Sequence, residues 1–162
     1  MAAKVKPIPE GSHTITPMLV VHEGIKAIDF YKRAFGAQEI YRFEHPPGKI
    51  MHAVLKIGDS KFMLSDEMPG SRSAHSFGGT PVCLYLYLED VDRVFNQAVA
   101  VGAKVDMALA NMFWGDRYGR VTDPFGHSWS LATHKEDVAP EELRKRTETF
   151  MAQMGQQEKK KS

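Results

Sequence analysis

The chain repeats itself. Ala34-Phe35-Gly36-Ala37 and Ala100-Val101-Gly102-Ala103 recur about 66 residues apart, each closing a helical pattern and opening a β pattern. Gly58 and Gly126 stand before the last strand of each half at nearly the same offset. Each half reads strand, helix, strand, strand, strand, a unit too small to bury both faces of its sheet alone. Two such units must pair, and two curved sheets that pair leave a cavity. The fold class expected is therefore α+β: paired βαβββ modules forming a half-barrel cavity, plus a C-terminal helix.

In chain order, residues 1–12 are rich in Lys, Pro and Gly and read as an N-terminal arm. The first module takes residues 13–66. Its first strand runs from Thr14 to Val21, and its amphipathic helix from Gly24 to Phe35 carries Ile25, Ile28, Phe30, Tyr31 and Phe35. Strands follow at 38–45, 49–57 and 61–66, punctuated by Pro46-Pro47-Gly48 and Gly58-Asp59-Ser60. Residues 67–81 are a linking loop. The second module, 82–134, has a strand from Val82 to Leu88, a helix from Asp90 to Val101, and strands at 104–109, 118–122 and 127–133.

The last two strands flank Asp123-Pro124-Phe125-Gly126. Asp accepts backbone N–H bonds, Pro presets φ at the second position and Gly supplies free torsions at the end, so the tetrad predicts a tight hairpin turn. Residues 135–162 start with a helix at Pro140, supported by Glu141/Lys145 and Glu142/Arg146 at i,i+4 and striped by Leu143, Thr147, Phe150, Met151 and Met154. Gly155 to Ser162 reads as a solvated tail.

Charge and cysteine usage narrow the partners. Twenty-one Lys+Arg balance twenty Asp+Glu, leaving +1, so no overall field draws the chain to nucleic acid or to an anionic membrane. No apolar run reaches the length of a membrane span and the N-terminus lacks an apolar signal core. One cysteine, Cys83, excludes an internal disulfide framework and a thiolate-rich zinc site, and inside an apolar strand it reads as a small core hydrophobe. A cytoplasmic protein with a small-molecule partner is expected. Phosphate loops, nucleophile elbows and dinucleotide fingerprints are absent.

With the paired modules, Phe30-Tyr31 and Asp123-Pro124-Phe125-Gly126 in place, the chain resembles the vicinal oxygen chelate superfamily of glyoxalases, extradiol dioxygenases and bleomycin-resistance proteins. Pro9-Glu10-Gly11, Thr16-Pro17, Met51-His52-Ala53, Leu64-Ser65-Asp66-Glu67 and Phe113-Trp114-Gly115-Asp116-Arg117 resemble its PhnB-like branch. The resemblance implies a homodimer and four cavity-facing positions that hold a divalent metal in the family's enzymes. Here these are Thr16, Met63 or Ser65, Cys83 and Ser130, none an imidazole or a carboxylate. Hydroxyls and one thiol bind Zn²⁺, Ni²⁺ or Fe²⁺ too weakly to replace such a set, so no metal or other cofactor is expected. His52 and Asp66 are the candidates for a displaced metal site.

The expected ligand cavity comprises Thr16, Met18, His52, Cys83, Tyr85, Trp114, Arg117 and Ser130. Cys83, Tyr85 and Tyr87 share one strand face, with Leu84, Leu86 and Leu88 toward the helices. Trp114 and Arg117 suit a planar or anionic ligand, against the alternative that Arg117 pairs with Asp116 or Asp123 and Trp114 caps the core. His52 is a base or donor to ligand, or a strand histidine held by a neighbouring carbonyl. His127 and His134 fall on opposite faces of the last strand, and Asp66-Glu67 reads as a solvated pair of carboxylates. No catalytic residue is assigned. Three functions stand open: metal-independent sequestration of a small molecule, resembling bleomycin resistance; a glyoxalase- or dioxygenase-like metalloenzyme with a displaced site; and a dimerising interaction module with a vestigial cavity.

Overall fold

A computed structural model describes residues 5–159. The expectations for residues 1–4 and 160–162 lie outside it. The order is β1 (Met18–Val21), α1 (Gly24–Phe35), β2 (Gln38–Glu44), β3 (Ile50–Ile57), β4 (Ser60–Asp66), α2 (Ala74–Phe77), β5 (Cys83–Tyr87), α3 (Val91–Ala100), β6 (Lys104–Asn111), β7 (Asp116–Thr122), β8 (Ser128–His134) and α4 (Pro140–Lys159). Two four-stranded sheets share one topology, β1-β4-β3-β2 and β5-β8-β7-β6, each with one parallel pair and two antiparallel pairs. The α+β class and the duplication are as the sequence predicts.

The repetition extends to how each helix is anchored. In the first module the Asp66 carboxylate, at the end of β4, accepts the Gly24 N–H at 2.9 Å. In the second, Thr133 Oγ1, near the end of β8, accepts the Val91 N–H at 2.9 Å, and Asp90 accepts from Arg93 N. Both satisfy first-turn N–H groups that have no partner inside the helix. Gly36 closes α1 in the left-handed conformation at φ +67°, donating to Lys32 O.

The modules meet through their helix-bearing faces. Tyr31 and Phe35 of α1 pack on Trp129 of β8, with ring centroids 5.4 and 4.7 Å away, and one apolar core runs from Leu19 and Val21 through Leu131. Asp123 joins the halves chemically. Its Oδ2 accepts the Tyr31 hydroxyl at 2.7 Å and Trp129 Nε1 at 2.8 Å, while Oδ1 holds the N–H groups of Phe125 and His127 in the turn. His127, read from sequence as a turn residue, also sets its ring 3.1 Å from the Val20 carbonyl of the other module.

The sheets form no closed barrel among the described residues; their helix-free faces open outward, with Met18, Tyr41, Phe43, Tyr85 and Tyr87 exposed. Several boundaries differ from the sequence reading. β1 starts at Met18, because Pro17 has no N–H for a ladder and Thr16 Oγ1 turns back to the His13 carbonyl at 3.1 Å. The 67–81 loop contains α2, whose first residues are held by Glu67, which accepts Ser73 N at 2.7 Å and the Ser76 hydroxyl. The stretch read as a tail continues α4 through Gly155 to Lys159. α4 docks by Phe150 against Phe113, centroids 4.9 Å apart, and Arg146 bridges Glu136 and Glu142.

Candidate functional site

The helix-free face of the second sheet gathers four of the eight expected residues, Cys83, Tyr85, Trp114 and Ser130. Strand alternation places Cys83, Tyr85 and Tyr87 of β5 beside Ser128, Ser130 and Ala132 of β8, and these beside Tyr118 and Arg120 of β7. Cys83 Sγ lies 3.1 Å from Ser130 Oγ and 3.4 Å from Ser128 Oγ, and the Tyr118 hydroxyl lies 2.8 Å from Ser130 Oγ. The thiol is exposed. The composition-based reading of Cys83 as a core hydrophobe is thus corrected: the strand's other face, Leu84 and Leu86, packs on the core.

At the far end of this face is a residue the cavity expectation omitted. Asp116, 4% exposed, accepts three donors on Oδ2: Tyr85 hydroxyl at 3.2 Å, Tyr87 hydroxyl at 3.4 Å and Trp114 Nε1 at 3.1 Å. Its Oδ1 lies 2.8 Å from His134 Nδ1, whose other ring nitrogen is 2.9 Å from Asp137. Burial, and then the Asp116 charge, push the Tyr85 phenol well above its ordinary range. Hydrogen bonds to Asp116 and Asp137 raise the His134 imidazole. The sequence carried part of this signal. A tight turn at 123–126 that pairs Thr122 with Ser128 also pairs Asp116 with His134, by counting outward along both strands. The approach of Tyr85 depends on the parallel β5–β8 register, which no local motif encodes.

Trp114 and Arg117 do not form the expected clamp. Alternation turns Arg117 to the helix side, where Nε and Nη2 bind Asp92 at 2.6 and 2.5 Å, a partner not among those considered. Trp114 stays on the aromatic side, edge-on to Tyr118 at 5.5 Å. Gly115 makes the sharp reversal between them, at φ +101°, and a Cβ there would lie 2.1 Å from the Glu136 carbonyl oxygen.

The remaining expected residues belong to the first module. Met18 is exposed on its helix-free face; Thr16 is taken up in the turn before β1. His52 packs its ring on Tyr41 at 5.8 Å, with no hydrogen bond to the ring among the described residues. The displaced site of His52 and Asp66 is not assembled. Asp66 points to the opposite face, buried, its oxygens taken by Gly24 N at 2.9 Å and Ile50 N at 2.7 Å. Nor is Asp66-Glu67 a solvated pair, since Glu67 caps α2 and is held down to about 2 by its bonds to Ser76 and Ser73.

The donor set does not fit the metal that the fold family's enzymes hold. Ser130 and Cys83 sit together in the second module, Thr16 and Met63 or Ser65 in the first, and Ser65 Oγ is buried with no partner among the described residues. Among the described residues no three His, Cys, Asp or Glu side chains converge as ligands. A separate cleft of about 250 Å³ lies where the modules meet, walled by Ile15, Pro17, Phe62, Leu84, Leu86 and Trp129.

The duplicated βαβββ sheets, each in the order β1-β4-β3-β2 or its counterpart, define a chain of the glyoxalase-like fold. Residues 13–131 match the model of the Glyoxalase/Bleomycin resistance protein/Dioxygenase superfamily, and the chain belongs to that family. It is 43% identical over 148 residues to the uncharacterized protein Rv0887c of Mycobacterium tuberculosis, covering 88% of this chain and 84% of that one. The solved structure of the Arabidopsis thaliana At5g48480 product is similar at a TM-score of 0.62 and 32% identity, over 74% of this chain and 98% of that chain. The fold is also that of a PhnB protein from Bacillus cereus, with a TM-score of 0.59, 22% identity, and coverage of 75% of this chain and 99% of that one. Among the described residues no helix is long and apolar enough to cross a membrane.

Proposed function

We propose that this protein binds and sequesters a small molecule without metal, in the manner of the bleomycin-resistance members of its family, working as a homodimer in the cytoplasm. The observation that carries the reading is the open face of the second sheet. It presents Tyr85, Tyr87, Trp114 and Tyr118 with the Cys83–Ser130 pair beside them, a mostly apolar surface with a few fixed polar groups, as small-molecule sites require. The positions where the family's enzymes carry metal ligands hold side chains of little affinity for a divalent ion. A second chain would close this face against the equally open first sheet, where Met18, Tyr41 and Phe43 are exposed.

The test is elemental analysis of protein purified without chelator or nickel, with assays for turnover after addition of Mn²⁺, Ni²⁺, Zn²⁺ or Fe²⁺. Metal-free protein, inert to every addition, that binds members of an aromatic compound panel without converting them, is expected. Near-stoichiometric metal whose removal abolishes turnover would replace sequestration with catalysis. Sizing the full chain against one lacking 137–162 tests assembly. A dimer is expected for both, because α4 is held to its own chain by Phe113 and Glu136.

A further inference from the structure

The open face of the second sheet is electrically one-sided, and we infer that its ligand is a flat aromatic cation seated over Tyr85 and Tyr87, with its charge at the Asp116 end. The inference rests on the sequestration reading and names the class of molecule sequestered.

The hydroxyls of Tyr85 and Tyr87 and the indole N–H of Trp114 all converge on one oxygen of Asp116. Those donors are spent inward, so the aromatic set offers a ligand its π faces and phenolic lone pairs, which attract positive charge. A ring that donates to a carboxylate is also more electron-rich than a free phenol. The charges around the cluster keep the same sign. Asp116 and Asp137 bracket His134, so the trio carries net negative charge whether or not the imidazole is protonated. Two basic neighbours have their charge set against Asp92: Arg117 is on the opposite face in its grip, and Lys135, which lines a cleft with Asp116 and Arg117, lies near enough to Asp92 to lower that carboxyl's pKa. Arg120 lies four residues beyond Asp116 on β7, level in the ladder with Ser130 and Tyr85, and lines a cleft with Asp106, Thr122 and Ser128 toward the other end of the face.

Shape selects a flat molecule lying on the rings. Tyr85 and Tyr118 are near parallel at 30°, centroids 5.8 Å apart, and Tyr85 and Tyr87 are 4.9 Å apart. A group sandwiched between two rings needs about 7 Å, twice the ~3.5 Å carbon contact distance, so the gaps are too narrow for insertion. The exposed surfaces are the ones available: Tyr87 is 67% and Tyr85 44% exposed.

The experiment titrates the full chain with three probes of one shape, N-methylquinolinium, neutral quinoline and 2-naphthoate, by calorimetry at pH 8. The cation should bind about tenfold or more tightly than quinoline, a difference of ~1.4 kcal/mol, with 2-naphthoate weakest. Tyr87→Leu, on an exposed ring whose loss leaves the core intact, should bring the cation's affinity down toward that of quinoline. Asp116→Asn should do the same if it folds, as checked by its circular dichroism. Saturable binding of quinoline or 2-naphthoate as tight as the cation would overturn the cation preference while leaving sequestration standing. A cation affinity untouched by Tyr87→Leu would place the probe elsewhere and overturn the site. No binding of any probe would overturn the inference alone, because sequestration is judged by the metal and turnover assays.

Discussion

Replacing Tyr31 by Phe removes one oxygen from the junction of the two modules. That hydroxyl donates to Asp123 Oδ2 at 2.7 Å, and Tyr31 has no exposed surface, so water cannot take its place. Burial, and then the nearby Asp123 charge, raise the phenol well above its ordinary pKa, so it is a donor at neutral pH. Bonds to a charged partner contribute roughly 1.5–3 kcal/mol, so Tyr31→Phe should cost about 2 kcal/mol. The loss stays in this range because Asp123 keeps Trp129 Nε1 and the Phe125 and His127 N–H groups. Asp123→Ala should cost more, since it strands the buried Tyr31 and Trp129 donors together. The assay is urea unfolding at fixed protein concentration. With a slope of about 2 kcal/mol/M, the Tyr31→Phe midpoint should fall by about 1 M at unchanged slope. A double-mutant cycle should show the two changes to be non-additive. A fall below about 0.25 M, or additive losses, would refute the reasoning that this bond couples the modules.

Three further outcomes follow from other contacts. Gly115→Ala, at φ +101° and with a Cβ 2.1 Å from the Glu136 carbonyl oxygen, should destabilise by roughly 1–3 kcal/mol. It should also speed hydrogen exchange at the Lys135 and Glu136 amides, both of which donate to Gly115 O; unchanged exchange would show the turn to be plastic. His134, whose pKa is raised by Asp116 and Asp137, adds stability that is full below its unfolded value of about 6.5 and fades as pH rises through its folded value. Urea midpoints of wild type and His134→Gln should therefore converge from pH 6 to pH 9; parallel profiles would contradict the assignment. Phe150→Ala should cost about 0.5–1.5 kcal/mol from the lost Phe113 pairing and fray α4, seen as faster exchange over 140–155, with the sheets unaffected.

Much of the fold was legible because it is local and repeated. Helix-ending Gly36 and Gly102, the Asp123–Gly126 turn and the strand alternation of Cys83 to Tyr87 each draw on a few neighbouring residues whose torsions and faces are set by their own chemistry. The candidate site was legible where alternation decides it, as for Cys83, Tyr85 and Ser130, and misread where a reversal intervenes. Gly115 separates Trp114 from Arg117, and alternation along β7 then sends Arg117 to Asp92, a residue on another element. Asp66 and Glu67 were misread because their partners, Gly24, Ile50 and Ser73, depend on how elements are stacked.

By itself, then, the sequence determined two βαβββ modules and a C-terminal helix, since periodicity, turn chemistry and internal repetition are properties of neighbouring residues. Only the tertiary structure decided which faces the modules present to each other. Trp129, Tyr31 and Asp123 pair across 92 residues or more from Tyr31 to the turn, turning the helix-bearing faces inward and leaving the aromatic face of the second sheet open. Within the second module, the parallel β5–β8 pairing across some 45 residues gathers Tyr85, Tyr87 and Trp114 on Asp116. Burial of apolar surface is non-directional, so hydrophobic content alone selects no partner face; complementary shape and the hydrogen bonds of buried polar groups do.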